Sequence, residues 1–166
     1  MDIRAGIAAG NKRAAARLIT MIENGEPEAV EIIKENYDKI GTARIIGVTG
    51  PPGAGKSTVT DKLAKLLRKQ GKKVAIIAVD PTSPFSGGAI LGDRIRMSDL
   101  NTDEGVFIRS MGTRGALGGL SKSVNGAIKV MDILGCDYIF VETVGVGQSE
   151  IDIVKVADTV LMVMVP

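Results

Sequence analysis

The run Gly50-Pro51-Pro52-Gly53-Ala54-Gly55-Lys56-Ser57 places glycines, one lysine and one hydroxyl at the spacing G-x-x-x-x-G-K-S. That pattern solves one chemical problem, the holding of a polyphosphate and its counter-cation. The glycines let backbone N–H groups converge on phosphate oxygens. A helix starting at the end of the loop adds a partial positive charge of about half an elementary unit. Lys56 is then placed to neutralise β- and γ-phosphate oxygens, and the Ser57 hydroxyl to ligate Mg2+. The plain alternative is a glycine turn without a ligand. The apolar segment before the loop and the amphipathic one after it favour the phosphate-binding P-loop. The residues expected to hold nucleotide are Gly50, Pro52, Gly53, Ala54, Gly55, Lys56, Ser57 and Thr58.

Two carboxylates stand where a cation could use them. Asp80 closes an apolar run and precedes Pro81-Thr82-Ser83-Pro84. It either faces the metal or its waters, or opens a turn before proline. Glu142 follows Tyr138-Ile139-Phe140-Val141, the place of a Walker-B carboxylate. A carboxylate at the end of a buried strand is costly unless it meets a cation directly or through water. Gly145 lies shortly beyond, so Glu142-Thr143-Val144-Gly145 has the form of a switch that senses a γ-phosphate through a backbone amide. Gln148 and Glu150 either orient an attacking water or belong to a solvated polar loop. Residues 86–113 are glycine-rich and polar, the composition of a functional lid. Within them Asp93 could complete a Mg2+ shell and Arg94 or Arg96 could meet phosphate, although spacing alone favours a surface ion pair. Residues 114–120 form a glycine-rich segment that could move or touch a partner, and Cys136 reads as a small buried hydrophobe.

Positioning these groups requires strands that deliver loops to one edge. Residues 44–49 form a strand-like run ahead of the P-loop, and residues 57–70 a helix with Val59, Leu63, Leu66 and Leu67 on one face and Gly71 just past its end. Further strands are predicted at 73–79, 106–108, 138–141 and 159–165, with a helix over 121–134 carrying Val124, Ile128, Met131 and Leu134. Strands alternating with helices at these intervals predict an α/β fold, a mostly parallel sheet flanked by helices. Two helices precede it. One, over 11–23, carries Ala15, Leu18, Ile19 and Ile22, with Asn11 as cap. The other opens at Pro27 and turns Val30, Ile33 and Tyr37 inward. The expected organisation is an N-terminal helical appendage, 1–41, followed by a P-loop NTPase domain, 42–166. That domain is expected to be C-terminally truncated, because the chain stops after a buried-looking strand whose outgoing loop belongs to the ligand edge.

Composition narrows the chemistry. The chain has 166 residues, 45% of them apolar, and a net charge of +2 with few aromatics and no dense basic run, which gives nucleic acid little support as a partner. It contains no histidine, so general-base and zinc chemistry must look elsewhere than imidazole. A single cysteine and no signal-like N-terminus point to a cytoplasmic or similarly reducing setting. The apolar stretch 154–165 is interrupted by Lys155 and Asp158 and is too short to span a bilayer.

With these segments assembled, the sequence resembles the MeaB/ArgK family of P-loop GTPases, which associate with methylmalonyl-CoA mutase and carry the older name LAO/AO transport ATPases. The resemblance rests on Gly47-Val48-Thr49 leading into the P-loop, on Val79-Asp80-Pro81-Thr82-Ser83-Pro84, and on Gly87-Gly88-Ala89-Ile90-Leu91-Gly92-Asp93-Arg94-Ile95-Arg96-Met97. It extends through Arg109-Ser110-Met111-Gly112-Thr113-Arg114 and Val141-Glu142-Thr143-Val144-Gly145-Val146-Gly147-Gln148-Ser149-Glu150. It implies GTP binding and slow hydrolysis to GDP, with Ser57, Asp80, Asp93 and Glu142 around Mg2+. Lys56, Gly145 and Gln148 would serve the reaction. It further implies a switch or chaperone role toward a cobalamin-dependent acyl-CoA mutase, and a homodimer in the full-length protein. The family's guanine-reading Asn-Lys-x-Asp segment would lie past Pro166. The competing expectation from the motif alone is an ATP-dependent kinase or transport-associated ATPase, and a third is a partner-docking module that binds nucleotide without hydrolysing it.

Overall fold

The computed structural model describes residues 2–80, 98–112, 122–145 and 149–166. Among them, five parallel strands form one sheet: β1 (Arg44–Thr49), β2 (Val74–Asp80), β3 (Val106–Gly112), β4 (Tyr138–Thr143) and β5 (Thr159–Met162). Their spatial order is β3-β2-β4-β1-β5. The central strands are covered on both faces, which is why β2 reads Val-Ala-Ile-Ile-Ala-Val without polar alternation. Register sets the edge that matters. Glu142 is level with Val48 and Ala78, and Ala78 is level with Ser110.

The helices divide between the two faces. α1 (Ile3–Ala8), α2 (Lys12–Glu23), α3 (Pro27–Glu35), α6 (Lys122–Ile133) and α7 (Ser149–Val156) share the larger core with Ile77, Val79, Ile139 and Val141. α4 (Lys56–Lys69) and the short α5 (Ser98–Asn101) cover the other face, over Val48, Ile76 and Phe140. Side chains alternate along a strand, so Val48, Ala78, Asp80, Ser110 and Glu142 belong to the α4 face. Thr49, Val79, Met111 and Thr143 belong to the opposite one.

Local signals explain most element ends. The Asn11 carboxamide oxygen accepts from the amides of Arg13 and Ala14, capping α2. A short 3-10 turn, Tyr37–Lys39, follows α3, and the link to β1 is clasped by Asp132 of α6. That carboxylate, 4% exposed, accepts from the amides of Gly41, Thr42 and Ala43 and from the Thr42 hydroxyl. α2 is joined to β3 by the Arg109–Glu23 ion pair at 2.5 Å.

Several expectations change. α3 buries Ala29 and Ile32, while Val30 and Tyr37 lie 53% and 71% exposed. The small Ala29 permits close approach, and the phase is lost where the helix gives way to the 3-10 turn. α4 buries Lys56, Thr60 and Ala64 with Leu63 and Leu67 packed alongside, so Leu66 points outward. The expected buried strand over 159–165 ends at Met162, and Met162, Met164 and Val165 are exposed. Among the described residues β5 pairs with β1 alone, which leaves its outer edge uncovered. Part of the region expected as a lid is ordered structure: α5 buries Leu100, and β3 runs on to Gly112. α1 and α7 were not expected at all.

Candidate functional site

The carboxyl ends of β1, β2, β3 and β4 open into one cleft of about 720 Å3. Pro52, Gly53, Gly55, Lys56, Ser57 and Thr58 line it from the loop and α4, and Asp80 and Glu142 from the sheet. β1 ends at Thr49, and the chain turns at Gly50 with φ 137° before winding through the loop. Only glycine fits there. A Cβ on Gly50 would stand 2.0 Å from the Val163 carbonyl oxygen, on the stretch whose amide pairs with Thr49. α4 starts at Lys56 behind Gly55, which offers no side chain to cap the helix. Its first-turn amides are therefore the unsatisfied donors that suit an anion.

The two side-chain donors expected to meet nucleotide and its cation are held by protein acceptors. The Lys56 ammonium, 6% exposed, donates to the carbonyls of Gly50 at 2.8 Å and Pro51 at 3.0 Å. The Ser57 hydroxyl donates to Glu142 Oε1 at 2.6 Å, so this hydroxyl and this carboxylate already share one position. Asp80, the last residue of β2, is half-buried on the same sheet face as Glu142. Ser57, Glu142 and Asp80 are hard oxygen donors, the type Mg2+ takes. That ion usually keeps several waters and needs only one or two carboxylates beside the phosphates of its nucleotide.

Gly145 presses on the loop from the far side of the lysine. Its φ is 91°, and a Cβ there would lie 2.2 Å from the Gly50 carbonyl oxygen and 3.0 Å from Lys56 Nζ. Its amide donates to Glu150 Oε1 at 3.1 Å. The same carboxylate accepts from the hydroxyls of Thr143 and Thr49. The Glu150 carboxylate is thus engaged within the protein rather than left in a solvated loop.

Asp93, Arg94, Arg96 and Gln148 lie outside the described residues, as does the segment 114–120. Sequence reasoning missed three cleft residues, Asp61, Lys62 and Ser110. Asp61 and Lys62 sit one turn beyond Ser57, a spacing that places them on the cleft side of α4 and was legible. Ser110 enters through the β2–β3 register, which no local pattern reveals. Its hydroxyl and Asp61 Oδ1 are buried with no hydrogen-bond partner among the described residues. Cys136 is buried away from the cleft, and burial pushes its thiol up to about 12. Among the described residues no helix is long and apolar enough to cross a membrane.

The profile of the methylmalonyl-CoA mutase-associated GTPase family MeaB matches residues 15–166. A Pyrococcus abyssi protein named as a GTPase is 66% identical over 157 residues, covering 95% of this chain and 48% of its own. GTPase ArgK of Escherichia coli is 42% identical over 153 residues, covering 90% of this chain and 46% of its own. A crystal structure of a LAO/AO transport system kinase superposes with a TM-score of 0.77 at 30% identity, over 98% of this chain and 49% of that one. The chain thus spans about half the length of the curated relatives it matches.

Proposed function

The chain belongs to the MeaB family of GTPases, and from that premise we propose that it is the nucleotide-binding part of a Mg2+-dependent GTPase that alternates between GTP and GDP. The observation that carries this reading is the convergence of Lys56, the Ser57–Glu142 pair and Gly145 on one loop and one sheet edge. A cradle of amides with a buried ammonium binds polyphosphate, and the Ser57 hydroxyl and Glu142, with Asp80 and Asp93, are the proposed holders of Mg2+. When bound there, Mg2+ would supply positive charge that offsets the negative charge developing during hydrolysis. Lys56 leaves the Gly50 and Pro51 carbonyls for the β- and γ-phosphates and stabilises the leaving diphosphate. The Gly145 amide reads the terminal phosphate. Gln148 is proposed to orient the water that attacks in line. The family's name supports a methylmalonyl-CoA mutase, a cobalamin-dependent acyl-CoA mutase, as partner. In this proposal the full-length protein is a homodimer that acts in the cytoplasm as a switch read by this partner.

The test is steady-state hydrolysis of GTP and ATP by the full-length protein and its Lys56→Ala variant, with GDP and ADP competition. GTP turnover abolished by the substitution, with guanine nucleotides outcompeting adenine ones, supports the proposal. Equal turnover in the two proteins overturns it, and preference for ATP transfers the site to a kinase or transport ATPase.

A further inference from the structure

We propose that Glu150 is a built-in competitor of the terminal phosphate, so that its carboxylate sets how strongly the protein prefers a nucleoside triphosphate over a diphosphate. The inference deepens the nucleotide reading above and rests on it.

Glu150 lies in the first turn of α7, the helix packed under β1 and β4. Its carboxylate reaches the sheet edge from the face opposite to Glu142. There it gathers three donors: the Thr49 hydroxyl at the end of β1, the Thr143 hydroxyl at the end of β4, and the Gly145 amide just beyond. The two threonines are 6% and 2% exposed, so the carboxylate is seated by buried partners and does not swing freely. Gly145 in turn abuts the Gly50 carbonyl and the Lys56 ammonium, the group that meets the outermost phosphates.

An amide has one proton to give. A triphosphate whose terminal oxygen takes the Gly145 N–H must take it from Glu150, and must do so beside a carboxylate of like charge. A diphosphate leaves that hydrogen bond in place. The bond is charge-assisted, about twice as strong as a neutral one, so its loss subtracts from triphosphate affinity alone. Glu150 is thus a positioning residue that acts on nucleotide through Gly145 and the two threonines.

Glu150→Gln keeps shape and removes charge. Titration of the full-length protein with fluorescent GDP and a fluorescent non-hydrolysable GTP analogue, both with Mg2+, reads the effect. The variant is expected to hold GDP within about twofold of wild type and to raise the triphosphate-to-diphosphate preference by roughly tenfold, the scale of exchanging a charged for a neutral hydrogen bond. An unchanged preference, or an equal loss for both nucleotides as a merely structural role would give, overturns the proposal. If Glu150→Gln does not fold, Thr143→Val, which removes one anchor of the carboxylate, is expected to raise the preference severalfold, and its failure to do so is equally decisive. A wild-type protein that binds neither nucleotide refutes the nucleotide reading itself, and that outcome is distinguishable from failure of the competition alone.

Discussion

Substituting Gly145 with alanine should separate triphosphate from diphosphate binding, and the size of the effect follows from the geometry. The added Cβ would stand 2.2 Å from the Gly50 carbonyl oxygen and 2.9 Å from the Pro52 nitrogen, both backbone atoms of the loop. Ordinary contact requires the segment to retreat by roughly 1 Å. The φ of 91° adds conformational strain on the order of 1–2 kcal/mol for any residue with a Cβ. A retreat of that size takes the Gly145 N–H out of hydrogen-bond range of a phosphate seated against Lys56. A hydrogen bond to a charged group contributes about 1.5–3 kcal/mol, and the bond to Glu150 that the wild-type amide gives up offsets part of it, so the GTP analogue should bind roughly tenfold more weakly. GDP, held by the loop amides and Lys56 without the Gly145 amide, should change severalfold at most. The assay is the same pair of fluorescent nucleotides titrated into full-length Gly145→Ala, with urea denaturation confirming the fold. Unchanged affinity for the analogue in a folded variant would refute the placement of Gly145, and equal loss of both nucleotides would show that the loop, not the switch, had moved.

Two further outcomes concern the scaffold. Asp132→Ala leaves the buried Ala43 amide without its acceptor and loosens the link between α3 and β1. It should destabilise the protein by about 1–3 kcal/mol in urea denaturation, with Asp132→Asn losing less because one acceptor oxygen remains. Cys136, its thiol pushed from 9.0 up to about 12 by burial, should resist alkylation at pH 8 in an intact-mass assay, its thiolate fraction being about a thousandfold below that of an ordinary thiol. The sign for stability follows: between pH 9 and 12 the unfolded thiol has lost its proton while the folded one keeps it, so stability should fall as pH rises through that window.

What the sequence disclosed was local. The P-loop, the strand before it and Glu142 after a run of apolar residues are spacing signals within a few residues of one another, and the order of strands and helices fixed the fold class. Glu150 was visible as a residue but not as a participant. Its role depends on β1 and β4 lying side by side, which brings Thr49 and Thr143 together although they are far apart in the chain. The helix that carries it was hidden because Ile151, Ile153 and Val156 around Asp152 and Lys155 read as well for a strand as for a helix, and only Ile153 of these is fully buried. For α3, two apolar stripes compete, and the smaller Ala29–Ile32 stripe wins because it lets the helices approach. Asp80 was legible as the end of a strand, but its place on the face shared with Glu142 needed the β2–β4 register.

The strand that delivers the P-loop has β4 and β5 as its two neighbours, and both are encoded well after it. During synthesis, β1 and the loop that follows it leave the ribosome with no pairing partner available. β2 and β3 can zip together first, but the cradle acquires walls only when the segment ending at Thr143 has emerged. Nucleotide capture is for that reason a late event in the birth of this protein, and early chains would present an unshielded apolar strand for chaperones to shelter.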